Sequence, residues 1–349
     1  MRIAVLAIAM LLAGCAAGPQ VMRMEANEAD TARTFPPPQT QEVPRYRYLG
    51  QLTGEQNFGS PNGKTGARKF FEWVVGLVGQ AESPTVLQRP QTGVVDAAGR
   101  VLVTDVSRNA VFVFDEPGGK LDVWEQATKM TRFASPIGIA LGPAGSVLVA
   151  DAELGRVFRL RADGTPLGEF GDGVLVRPTG LARDAQRKRI YVADTRAHDI
   201  KVFDDDGKLL ATWGSRGDGP GELNYPTHLS LANGTLYVTD TLNARVQGFD
   251  ADGKPVLRFG QRGLYIGNLV RPKGVAADDE GNVYVIESMH DTLLVFDPKG
   301  QLLMSLGGTG QDVGRFYLPA GVWVDARNRV FVADMFNGRV AVFQFLGGN

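Results

Sequence analysis

Apolar residues along most of this chain come in short runs, broken by glycine, proline and small acidic or amide clusters. The stretch 271–307, RPKGVAADDEGNVYVIESMHDTLLVFDPKGQLLMSLG, displays the pattern in full, with apolar runs at 274–277, 283–286, 293–296 and 302–306. Runs this short and this rich in Val, Leu and Phe predict strands rather than helices. Asp279-Glu280-Gly281-Asn282 and Asp297-Pro298-Lys299-Gly300 lie between them and supply the glycine and Asx chemistry of tight hairpins. The stretch is therefore expected to form a four-stranded antiparallel meander.

The same unit recurs along the chain. Aligned on its first proline, it starts at Pro90, Pro136, Pro178, Pro226, Pro272 and Pro319, at spacings of 46, 42, 48, 46 and 47 residues. The acidic residue closing the second run recurs in step as Asp105, Asp151, Asp194, Asp240, Glu287 and Asp334. Six units of this period with four strands each predict an all-β, six-bladed β-propeller, in which each blade buries its faces against its neighbours around a central axis.

The residues within the units resemble the NHL-repeat family, with its Pro-x-Gly start, Asp-x-x-Asn-x-Arg-Val turn and Phe-Asp-x-x-Gly hairpin. Blade 4 carries Asp240-Thr241-Leu242-Asn243-Ala244-Arg245-Val246 and Phe249-Asp250-Ala251-Asp252-Gly253; blade 6 carries Asp334-Met335-Phe336-Asn337-Gly338-Arg339-Val340. The resemblance covers residues 89–345. It departs from the pattern at Arg108, Leu154, Ala197 and His290, which stand at the Asn position, and at His228, which replaces the glycine near the start of blade 4.

Blade 6 ends at Phe345 after three apolar runs, which would leave the ring open and an edge unpaired. Residues 45–50 are expected to supply the missing strand. Tyr46 and Tyr48 alternate there with Arg45 and Arg47, and Leu49-Gly50 repeats the ending of Phe170-Gly171, Trp213-Gly214, Phe259-Gly260 and Leu306-Gly307.

Composition supports this reading and adds a leader. With 44% hydrophobic residues, 44 glycines and 19 prolines in 349 residues, the chain suits many short strands joined by turns. A formal net charge of −1 gives no global electrostatic reason to expect nucleic acid as a partner. Arg2, an apolar run over 3–12 and Leu12-Ala13-Gly14-Cys15 resemble the signal peptide and lipobox of a bacterial lipoprotein. The apolar run is well short of the ~20 residues needed to span a membrane. The resemblance implies cleavage after residue 14, lipidation of Cys15 and stable anchoring by several acyl chains. Cys15 is the only cysteine, so no intrachain disulfide is available. Ala16 follows it where inner-membrane retention usually needs Asp, which points to an outer-membrane lipoprotein facing the periplasm. The expected organisation is a signal peptide at 1–14, a lipidated flexible tether at 15–43, and a propeller at 44–349 with a short amphipathic helix around 64–80, where Phe70, Val74, Leu77 and Val78 recur at helical spacing.

Alternating strand direction places the Pro-x-Gly starts, the Asp-x-x-Asn turns and the long inter-blade loops on one face, the expected binding surface. Arg89, Arg177 and Arg271, each preceding the proline of an odd-numbered blade, are candidates for binding an anionic ligand at the channel mouth, together with His228 and His290. Some six-bladed propellers of related construction hold a metal on the axis for lyase or lactone-hydrolysis chemistry; His198, His228 and His290 are the weak metal candidates here, with zinc or calcium as the ion. Zinc needs about three such ligands, and no spacing among the three histidines requires that they converge. The recurrent turn acids read as structural, accepting hydrogen bonds from turn amides and from Arg156, Arg245 and Arg339. No nucleophilic triad or phosphate-binding loop is present. The expectation is thus a non-catalytic scaffold without cofactor, binding a protein, a peptide or an envelope component; the alternative is a metal-dependent lyase or lactonase-like hydrolase with its site at the channel mouth. Cys15→Ala should abolish incorporation of labelled fatty acid and release the protein from membranes; equal labelling of the variant would remove the anchor.

Overall fold

The computed structural model describes residues 20–40, 42–59 and 84–347. The leader, Cys15 and the helix expected around 64–80 lie outside them. Within them, six antiparallel sheets follow one another as blades, and the first strands contact each other in sequence from Pro90–Val95 round to Gly321–Val324 and back to Pro90–Val95. The predicted six-bladed propeller is thus the observed fold.

Burial explains why the strands read as they do. The second strands, such as Val101–Asp105, Val147–Asp151 and Val283–Glu287, are buried at every position, because neighbouring blades cover both of their faces. They therefore appear as continuous apolar runs. The outer fourth strands, such as Pro166–Phe170 and Leu209–Trp213, are mostly exposed. No blade owns a core. Six apolar clusters fill the molecule, and each combines side chains from two adjacent blades, as Leu102, Val111 and Val113 of blade 1 do with Val147, Val149 and Phe158 of blade 2.

The turn acids hold each blade in register. Asp105, Asp151, Asp194, Asp240, Glu287 and Asp334 have no solvent exposure. Asp105 accepts from the amides of Gln88 and Arg89 with one oxygen and from those of Ser107 and Arg108 with the other. Asp151 does the same with Ala134, Ser135, Glu153 and Leu154. One carboxylate thus ties the entry to a blade's first strand to the turn after its second. Arg245 and Arg339 add ion pairs to Asp240 and Asp334 at 2.6 and 2.8 Å. Arg156 does not follow the expectation: its guanidinium reaches Glu169 and Asp172 instead, and Asp151 is satisfied by backbone amides alone.

The ring closes as expected. Tyr46–Leu52 pairs antiparallel with Arg339–Phe345, with a bulge between Val342 and Phe343, and completes blade 6. Tyr46 and Tyr48 point inward and Arg47 outward. The Tyr46 hydroxyl donates to that of Tyr284, which in turn donates to Asp278, so the closing strand is also bonded to blade 5.

The flexible tether expected over 15–43 is corrected for its described part. Val21–Met22 pairs with Phe58–Gly59, Glu28–Thr31 forms a helical turn whose N-cap is Asn27, and Thr34–Phe35 adds a fifth strand outside Tyr46–Leu52. The segment lacks the apolar residues for a core of its own. It does not need one, since Met22, Met24 and Phe35 pack singly into clusters that the blades already form. Phe35 lies edge-on to Phe343 at 5.8 Å.

Deleting residues 45–50 should abolish cooperative thermal unfolding, whereas an undiminished transition would show that the ring closes without this strand. Phe343→Ala, in the same seam, should cost about 3–5 kcal/mol in urea denaturation.

Candidate functional site

Two features share the loop-rich face: the mouth of the central channel and the ring of loops around it. The channel is lined by the first strand of every blade and holds a cavity of about 180 Å³. Its upper level is set by the residue two after each proline, which is Thr92, Gly138, Gly180, His228, Gly274 and Gly321. Glycine dominates because neighbouring backbones come close. A Cβ at Gly138 would lie 2.4 Å from the Thr179 carbonyl oxygen, and one at Gly321 would lie 2.2 Å from that of Gln91. Hydroxyl groups stitch these strands together, with Thr104 donating to the Ile137 carbonyl, Thr179 to Thr227 and Thr239 to Lys273, at 2.7–2.8 Å.

His228 lines the cavity, is 7% exposed, and has no hydrogen-bond partner for either ring nitrogen among the described residues. Burial, reinforced by the charge of Lys273, lowers its pKa to about 3, although the Lys273 carbonyl favours the charged form. The ring is therefore neutral at physiological pH. Trp323 lines the same cavity, and its Nε1 is likewise buried without a partner. Its indole fits only because the facing residue in blade 1 is Gly93, where a Cβ would lie 2.5 Å from the ring.

Lys273 was not among the residues singled out from sequence. It occupies the x of Pro-x-Gly in blade 5, where the other blades carry Gln91, Ile137, Thr179, Thr227 and Ala320. Being the one charged residue at that position was the available signal. Its ammonium makes no ion pair with any described carboxylate. Burial, with a further push from Arg271, lowers its pKa to about 8.

The other candidates separate. Arg271 is exposed beside Lys273, while Arg89 is exposed and stacks over the Phe336 ring at 5.1 Å. Arg177 is half-buried, and its backbone amide donates to Asp194. His198 has φ of +60° and takes the left-handed turn position that Asn109, Gly155, Ala244, Asp291 and Gly338 occupy in the other blades; histidine is among the residues tolerated there. Its Nδ1 accepts from the Tyr225 amide at 3.3 Å. His290 lies half-buried in the blade 5 turn. Among the described residues, no three His, Cys, Asp or Glu side chains come together as a metal site.

Around the mouth, the loops expose Tyr225, Tyr265, Tyr317 and Phe336, together with Leu242, Leu264, Ile266 and Met289. Every aromatic side chain counted as exposed among the described residues is one of the first four. All of them belong to inter-blade loops or to the turns after the second strands.

A family model described as a 6-bladed beta-propeller matches residues 172–263, which contain blades 3 and 4. Protein brain tumor from Drosophila melanogaster is 38% identical over 66 residues, 18% of this chain and 6% of that protein. E3 ubiquitin-protein ligase NHLRC1 from Homo sapiens is 33% identical over 63 residues, 18% of this chain and 16% of that protein. The chain thus spans less than a fifth of either relative's length. Among solved structures, a gluconolactonase from Xanthomonas campestris superposes with a TM-score of 0.57 at 18% identity, covering 74% of this chain and 86% of that one; the likeness is one of fold. The fold is a six-bladed propeller, and a short stretch of its repeats is similar in sequence to these two relatives.

A lysine held charged without a counter-ion costs stability. Below pH 8 both folded and unfolded chains carry the proton, so the cost is present in full; between about pH 8 and 10.5 the folded amine is neutral while the unfolded one is still charged, and the cost disappears. Lys273→Met should therefore stabilise the protein by on the order of 1–3 kcal/mol at pH 7, with the gain shrinking toward zero near pH 10.5 in urea melts at both values.

Proposed function

We propose that this propeller is a lipid-anchored binding protein of the bacterial cell envelope, tethered through Cys15 to the outer membrane on its periplasmic side, whose loop-rich face docks a protein or peptide partner. The observation that carries the reading is the placement of Tyr225, Tyr265, Tyr317 and Phe336: the exposed aromatic residues are confined to one face of a scaffold whose opposite face has only short hairpins. Aromatic residues and arginines are the side chains enriched where proteins bind proteins. Arg89 over Phe336, and Arg271 a few residues beyond the exposed run 264–266, provide both in one neighbourhood. Loops of different sequence on a rigid ring can specify one partner without altering the scaffold. The lipobox resemblance supports the anchor, and the near-neutral charge gives no support to nucleic acid as the partner.

A photoreactive amino acid placed at Tyr265 or Phe336 in intact cells should give one shared crosslinked species, which Leu264→Asp should remove; the same probe at Leu167 or Val256, on outer strands, should give none. Adducts from the outer strands alone would move the binding surface away from the loops.

A further inference from the structure

We propose that the central channel is a binding site for a small uncharged polyol, a compound of three or four carbons whose hydroxyl groups pair with the His228 imidazole and the Trp323 indole N–H. The site lies inside the ring and does not rest on a partner docking at the aromatic loops.

Two large side chains build it. His228 and Trp323 both line the cavity, each is 7% exposed, and neither the imidazole nitrogens nor the indole Nε1 has a hydrogen-bond partner among the described residues. Buried polar groups in folded proteins are hydrogen-bonded almost without exception, to protein, to ordered water or to a ligand. The repeat requires neither residue. At the position of His228 the other blades carry Gly138, Gly180, Gly274, Gly321 and Thr92; at that of Trp323 they carry Val94, Ala140, Ala182, Ser230 and Ala276. Small residues serve the ring at both places. The indole ring stacks on Phe331 at 5.3 Å, which a phenyl ring could do as well, so its N–H is an addition to the packing.

The wall of the cavity selects the ligand. Each first strand is the inner edge of its sheet, and the backbone groups of an edge have no ladder partner on that side; polar atoms accordingly make up most of the cavity surface. Ser230 adds a hydroxyl that accepts from the Ala277 amide at 3.2 Å and keeps its own hydrogen to donate. No Asp, Glu, Lys or Arg side chain lines the cavity among the described residues, and the imidazole is neutral at physiological pH. An ion would enter without a counter-charge, and an apolar molecule would strand the polar wall; both are costly. A hydroxyl donates and accepts at one atom. A polyol can therefore accept from the indole, bond the imidazole in either tautomer and meet backbone groups of both kinds, joining in one molecule the bonds that separate waters would make. The cavity, at about 180 Å³, exceeds the ~150 Å³ that admits the six heavy atoms of benzene, which sets the ligand at three or four carbons.

The test is nuclear magnetic resonance of the whole protein labelled with heavy nitrogen, in buffer free of polyols, reading the ring nitrogens of its 3 histidines. The His228 signals are identified by their loss in His228→Phe. Glycerol and erythritol should shift them saturably, with half-saturation at or below about 50 mM, and leave those of His198 and His290 in place. The single hydroxyl of n-propanol and the charge of glycerate should each weaken binding at least tenfold. Trp323→Phe removes the N–H and keeps a ring against Phe331; it should retain a cooperative thermal transition and bind glycerol about tenfold more weakly. The wild-type ligand series decides the matter even where a variant fails to fold. Absence of saturable shifts would mean that ordered water alone fills the cavity. That result, n-propanol binding as tightly as glycerol, glycerate or acetamide binding more tightly, or an unchanged affinity in Trp323→Phe would each overturn the proposal.

Discussion

Each of the six apolar clusters is shared between two blades, so the stability of this protein resides in the seams and not in the sheets. A blade isolated from its neighbours would expose both faces of its inner strands to water, and a four-stranded meander with no covered face has little to hold it together. The fully buried second strands, the glycines near the axis and the prolines that start each unit all follow from this. So does the exposure of the fourth strands, which lie farthest from the seams. The ring must close, because an open one would leave two uncovered blade faces at once.

Repetition divides the residues between scaffold and function. The turn acids are buried in every blade and occupied by backbone amides, hence poor candidates for chemistry despite forming a ring of carboxylates. His228, Lys273 and Trp323 are single departures at positions where sibling blades carry residues of other kinds, and each places a polar group where the repeat does not need one. The fold explains the shared residues. It does not explain these three, and unexplained polar groups in a channel are where a function separable from folding is to be sought.

Much of this was legible in the sequence, for a physical reason: a repeat states its constraints six times. The prolines, turn acids and apolar runs gave the blades, and the shortfall of one strand after Phe345 pointed to residues 45–50. His228 stood out because it replaced a glycine. What was not legible depends on curvature and on borrowed burial. Lys273, two residues from Arg271, reads along the chain as one of a solvated pair; only the convergence of the first strands partly buries it. Residues 20–35 read as a spacer because their apolar residues are few and scattered. They are ordered by grooves belonging to other parts of the chain, and no local pattern announces that. Arg156 resembled Arg245 and Arg339 in register, yet Glu169 and Asp172 on the outer strand and the following loop offered it a different partner.

The pairing of Tyr46–Leu52 with Arg339–Phe345 joins two ends of the chain that are separated by nearly its whole length. Contacts so remote in sequence form late, because the entropy of closing the loop must be met before the contact rewards it. Until the last blade has formed, its inner edge has no neighbour, and the partly folded protein offers a template for pairing with another chain. The same seam works in reverse once closed. Its opening would expose two clusters together, since Tyr46 and Tyr48 belong to one and Leu52 to the other.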